Sequence, residues 1–174
     1  MTNHTDYAAS PAPVYSLTVH GRSKRFPVNR IFCVGRNYAA HAREMGKDPD
    51  RDPPFFFMKP ASAIVDAAAP VSVAYPSGAV HPVAETCHLD SESTELKVNG
   101  STKQASDVAK LIWSTAECIA HLSLYEPLRP GDLIMTGTPE GVGPVVAGDA
   151  MRGRIEGLSE VAVTVIQQTM EATQ

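Results

Sequence analysis

The sequence predicts a mainly β domain of the α+β class, and three observations carry that prediction. Fourteen prolines and twelve glycines imply many turns. The clear apolar runs, such as Phe55–Met58 and Leu133–Met135, are strand-sized. Helical spacing is sustained through one stretch only, which favours short strands over a helical bundle. At 174 residues, with 43% hydrophobic and 20% charged residues, the chain has the composition of one globular domain rather than of a disordered, collagenous or coiled-coil protein. Nothing approaches the ~20 apolar residues of a membrane helix.

Residues 1–13 are small and polar with two prolines and read as a flexible lead-in to a single domain over 14–174. Val14–Val19 alternates as a strand, turns at His20-Gly21-Arg22 and returns toward Phe26 and Val28 as a hairpin. Ile31–Val34 is a further strand. Ala39–Met45 forms a short helix with Asn37 as N-cap and Gly46 as its stop. Phe55–Lys59 reads as a buried strand ended by Pro60, and weak strands follow up to Tyr75 before a turn at Pro76-Ser77-Gly78. Thr94–Val98 ends in Asn99-Gly100, whose tolerance of positive φ marks a type I′ hairpin. Val108, Leu111, Ile112, Thr115, Ile119 and Leu122 recur at helical spacing, predicting a helix over Ser106–Ser123 with a restart at Ser114, where Ser114 and Glu117 make a capping box. Arg129-Pro130-Gly131-Asp132 turns the chain into a strand at Leu133–Thr136. A glycine-rich loop, Gly137–Gly143, and a strand near Glu160–Ile166 come after it.

Cys33, Cys87 and Cys118 are an odd set without C-x-x-C spacing, which suits reduced thiols in a cytoplasmic protein. The charge of −4 divides into +4 over residues 1–59 and −8 over residues 60–174. Neither part has the basic stripe with interleaved aromatics of a nucleic-acid binder. A basic N-terminal part suits a small anionic substrate, and a mixed solvated surface accounts for the same numbers.

His41 and Glu44, three apart, share one face of the short helix. A carboxylate beside an imidazole orients it and raises its basicity, as a water-activating base requires, although such a pair on an exposed helix is often only decorative. Glycines on either side suit a lid. The Gly137–Gly143 loop follows a strand directly, so its N–H groups are placed to cradle an anion or simply to connect strands; it lacks a phosphate-loop ending. Lys59 ends an apolar run and either snorkels or meets an anion. His81, Glu85, His88 and Asp90 have no recognised metal-ligand spacing.

Together these motifs resemble the fumarylacetoacetate hydrolase family. Ile31-Phe32-Cys33-Val34-Gly35-Arg36-Asn37-Tyr38, with His41 and Glu44 and on to Pro53 through Pro60, is similar to the family's N-terminal block. Val98-Asn99-Gly100, Ile112-Trp113-Ser114 and Gly131 through Gly143 are similar to its C-terminal block. The resemblance is strongest to bacterial fumarylpyruvate hydrolases of gentisate breakdown. It implies a distorted, mixed β-barrel with short helices, usually a homodimer. It also implies metal-dependent cleavage of a carbon–carbon bond in a β-diketo acid, fumarylpyruvate giving fumarate and pyruvate. His41 and Glu44 would be catalytic, and Lys59, Gly137 and Thr138 would bind a small anionic diketo acid. Oxaloacetate decarboxylation is the related alternative.

The family's Mg²⁺ or Mn²⁺ ligands come from a His-x-Glu-x-Glu element and a later Asp, and this chain has no counterpart to them. Tyr75–Val80 resembles the approach to that element, whereas His81–Thr86 resembles a stretch found beyond a later lysine, so an internal deletion is expected near residues 80–82. The fold would then be incomplete, with unpaired strand edges, and a catalytically inactive form that still folds or dimerises is the competing expectation.

Overall fold

The structure, a computed structural model, describes residues 8–49, 52–66, 71–75 and 92–167. It is mainly β, with three sheets and two short α-helices among the described residues. β1 (Ser16–Leu17) and β2 (Phe26–Pro27) form the expected hairpin as a two-stranded antiparallel ribbon.

A three-stranded sheet has the order β4 (Phe55–Lys59), β3 (Ile31–Gly35), β8 (Leu133–Met135). β3 is its central strand, and Ile31, Phe32, Cys33 and Val34 are all buried, which is why the sequence there is continuously apolar rather than alternating. One face packs Ile31 and Cys33 with Val28, against Leu17, Ala61, Ile64, Leu133 and Met135. β4 departs from expectation. It is a strand, but an edge strand, with Phe55 50% and Met58 54% exposed. An apolar run indicates the strand correctly and its burial incorrectly, because burial needs a neighbour and β4 has one on one side only among the described residues.

The five-stranded sheet has the order β5 (Val71–Tyr75), β10 (Val161–Gln167), β9 (Ala150–Ile155), β6 (Ser93–Val98), β7 (Ser101–Asp107). β5 and β10 run parallel and the other pairs antiparallel. Val145, Met151 and Val165 form its small core, with Leu96, Val98 and Val163 packed against them. The β6–β7 hairpin turns at Asn99 and Gly100 with φ of 51° and 79°, as expected. Asn99 also donates to Asp149 Oδ1 at 2.8 Å and accepts from Ala150 N at 2.9 Å, holding the turn against β9. No sheet closes into a barrel among the described residues.

α1 spans Ala39–Glu44. Its end is a Schellman motif: Lys47 N–H donates to Ala42 O and Gly46 N–H to Arg43 O, with Gly46 at φ 71° where a side chain would be strained. Asn37 is not its cap; Tyr38 occupies that position, and its side chain does not cap the helix. The second helix is shorter than predicted. Ser106 and Asp107 end β7, Val108–Lys110 is a 3-10 turn capped by the Asp107 carboxylate, and only Thr115–Leu122 (α2) is α-helical. Tertiary pairing overrides the periodicity: Leu111 bridges Tyr38 and Ile112 N–H donates to Asn37 O at 2.8 Å. The restart is as expected, with the complete Ser114–Glu117 capping box. Among the described residues no helix is long and apolar enough to cross a membrane.

Candidate active site

β3 and β8 run parallel, with Ile31 beside Leu133 and Cys33 beside Met135. The segments leaving their C-terminal ends, α1 and the 137–143 loop, therefore emerge at the same edge of the sheet. Asn37 ties them together. It is fully buried, and its amide donates to Thr136 O at 2.7 Å and Trp113 O at 2.9 Å while accepting from Trp113 N at 2.7 Å. A side chain at Gly137 would crowd the Asn37 Cβ at 2.9 Å, so the loop passes close to the start of α1.

The site's chemistry is on the exit edge. His41 Nδ1 lies 3.1 Å from Glu44 Oε2, with the imidazole 11% and the carboxylate 44% exposed. Gly141 N–H points to the same carboxylate oxygen at 3.4 Å. Glu44 thus stands between the imidazole and the loop. An ionised carboxylate only accepts, so the contact selects the tautomer with the proton on Nδ1 and leaves the Nε2 lone pair available. The loop must come close for this. A Cβ at Gly141, whose φ is 90°, would overlap the Lys103 carbonyl of β7.

Gln104, the next residue of β7, completes the support. It is buried, and its Nε2 donates to Thr138 Oγ1 at 2.9 Å and to Pro139 O at 2.8 Å. Sequence reasoning misses both Gln104 and the role of Asn37. The only signal for Gln104 is a polar residue a few positions beyond the predicted Asn99-Gly100 turn.

Lys59 is half-buried and sits opposite Ile31, at the other end of the β3–β4 ladder from Gly35. Four residues of strand separate those levels, on the order of 13 Å, and among the described residues no hydrogen bond or ion pair joins Lys59 to His41, Glu44 or Thr138. The structure brings His41 and Glu44 to the loop that bears Gly137 and Thr138 and leaves Lys59 apart. A cavity of about 20 Å³, room for a water, is lined by Gly35, Arg36, Lys47, Asp48, Asp52 and Trp113 among others. Neither His41 nor Glu44 lines it.

Cys33 and Cys118 are buried, with Cys118 Sγ near Asn37 Nδ2 at 3.7 Å. Burial in apolar surroundings suits inert structural thiols. Cys87, His81, Glu85, His88, Asp90 and the Pro76-Ser77-Gly78 turn lie outside the described residues. Among the described residues no three His, Cys, Asp or Glu side chains come together to hold a metal ion. This part of the chain does not fit the divalent-ion site that the resemblance implies.

The sequence profile described as fumarylacetoacetate (FAA) hydrolase C-terminal matches residues 30–92 and 74–166, two stretches that together cover most of the chain. The chain belongs to this family, whose members are enzymes. A Ralstonia fumarylpyruvate hydrolase is 64% identical over 70 residues, which make up 40% of this chain and 36% of that protein. The crystal structure of fumarylpyruvate hydrolase from Pseudomonas aeruginosa, in complex with Mn²⁺ and pyruvate, superposes with a TM-score of 0.81 at 35% identity, covering 94% of this chain and 100% of that one. The Escherichia coli K12 oxaloacetate tautomerase YcgM is 26% identical over 201 aligned positions that draw on 77% of this chain and 91% of that protein. Since 201 exceeds the whole length of this chain, 174 residues, several tens of those positions in the tautomerase face a gap here.

Proposed function

We propose that the chain represents an acylpyruvate hydrolase, with fumarylpyruvate as substrate and fumarate and pyruvate as products. The observation that carries this reading is the Glu44 carboxylate shared between His41 Nδ1 and Gly141 N–H. His41 Nε2 takes a proton from water, and the resulting hydroxide attacks the ketone carbon of the fumaryl end. The bond to the adjacent methylene breaks, its electron pair passes to the pyruvate enolate, and the proton held at His41 returns to that carbon. Glu44 stabilises the imidazolium between the two transfers. Thr138 and the loop N–H groups face the developing negative oxygens, and Lys59 serves a carboxylate farther along the substrate. In the family Mg²⁺ or Mn²⁺ takes part; since the described residues do not fit such a site, no step here is assigned to it. The reduced thiols suit a cytoplasmic setting, and a homodimer is the expected assembly.

The test is loss of an acylpyruvate's ultraviolet absorbance with the purified 174-residue chain, supplied in turn with Mg²⁺ and Mn²⁺. Activity is expected to fall by about 10²-fold or more in His41→Ala. No absorbance loss with either ion, or full activity in His41→Ala, sinks the proposal.

A second reading is an inactive form lacking an internal segment near residues 80–82. It is supported by the gapped alignment to the tautomerase and by the exposed edge strand β4. Isothermal titration with Mn²⁺ separates the two, because clear binding at a single site counts against the inactive form. The oxaloacetate alternative meets a relative named for tautomerisation. That reaction needs only proton transfer, which the same His41–Glu44 pair provides, so enol–keto exchange of oxaloacetate belongs in the same assay series.

A further inference from the structure

We propose that Gln104 is a positioning residue that directs the Thr138 hydroxyl hydrogen away from itself, presenting it as a donor to an anionic or carbonyl oxygen of the ligand. The inference rests on the proposed placement of Thr138 at the substrate and deepens it. Pro139 O can only accept, so the end of the Gln104 amide that faces it at 2.8 Å must be the nitrogen. The second hydrogen of that nitrogen is directed to Thr138 Oγ1 at 2.9 Å. Thr138 Oγ1 therefore acts as acceptor toward Gln104, and its own hydrogen is left to be given elsewhere. Among the described residues the Thr138 hydroxyl makes no other hydrogen bond, and the residue is half-buried rather than open to bulk water.

The polarity is imposed from outside the loop. Gln104 is 8% exposed on β7, and its neighbour Lys103 presents the carbonyl on which Gly141 packs. A threonine without this partner would donate or accept as its ligand required. With it, the hydroxyl hydrogen is kept off Gln104 and is ready for a carboxylate or enolate oxygen, while one of the two lone pairs is already engaged. Gln104→Glu reverses the arrangement: a carboxylate accepts from Thr138, turns its hydroxyl inward, and opposes Pro139 O.

The experiment has two arms. In the first, binding of pyruvate and of oxalate is measured by ligand-observed NMR for wild type, Gln104→Glu, Thr138→Val and the double variant, each checked by thermal melting. At least tenfold weaker binding is expected for each single variant, with no further loss in the double variant. Wild-type affinity in Gln104→Glu, or losses that multiply in the double variant, overturns the inference. The second arm needs no ligand. The Gln104 side-chain amide signals, assigned by their disappearance in Gln104→Met, are expected to shift in Thr138→Val, and unmoved signals overturn the inference independently. If wild type binds neither anion while those signals do shift, the failure lies with the placement of Thr138 at the substrate and not with the role of Gln104.

Discussion

The two larger sheets of this molecule are held together in different ways. In the five-stranded sheet, β10, β9, β6 and β7 are neighbours through backbone ladders, and the β6–β7 junction is set by the local turn at Asn99-Gly100. The three-stranded sheet also has a full ladder between β3 and β4, but its other edge, β8, pairs through three residues only, and there long polar side chains add to the joining. Arg30 donates to Asp132 at 2.6 and 3.1 Å and to Glu126 at 3.0 Å, and Asn37 fastens the chain at Trp113 and Thr136. The candidate site sits beside the short β8 edge, where single side chains supplement a three-residue ladder. A ladder spreads its strength over many equivalent bonds, whereas a buried amide concentrates it.

The contrast predicts a ranking. Asn37→Ala leaves the Trp113 and Thr136 backbone groups without their partner in a buried place and is expected to cost about 3 kcal/mol in urea unfolding. It should also lower activity by loosening α1 from the loop. Asp132→Asn comes next, at about 2 kcal/mol near neutral pH. Asp132 is 4% exposed, and its carboxyl is held below its ordinary range chiefly by the Arg30 side-chain bonds, against burial and with help from Arg129 N–H and Asn29. A depressed folded value means the stabilisation is complete above the unfolded value, about 3.9, and fades as pH falls through the lower folded one. The gap between wild type and Asp132→Asn should therefore close in melts taken progressively below about pH 4. Gly100→Ala, in the ladder sheet, places a side chain at φ 79° and is expected to cost about 1 kcal/mol with activity retained. Equal losses for Gly100→Ala and Asn37→Ala would break the contrast between the sheets.

The same division governs what is legible in the sequence. The Ser114–Glu117 capping box, the Gly46 stop and the Asn99-Gly100 turn are readable because each is complete within a few residues. So is the His41–Glu44 pair. Asn37 reads as a helix cap because local rules favour that role, yet its partners lie 76 and 99 residues away. The periodicity of 106–113 is real but loses to pairing with Tyr38 and Asn37. β9 escapes a sequence reading because Arg152, Gly153 and Arg154 interrupt the apolar signal, although the strand is central in its sheet. Phe55–Lys59 looks buried because a run of apolar residues records composition and not the number of neighbours.

The parallel register of Ile31 with Leu133 also bears on synthesis. When α1 leaves the ribosome, β8, the parallel neighbour of β3, and the loop that meets Glu44 have not been translated. The His41–Glu44 pair must wait for about a hundred further residues before its brace exists, so a nascent chain arrested before Gly141 carries both residues without the loop N–H that the Glu44 carboxylate meets in the finished domain.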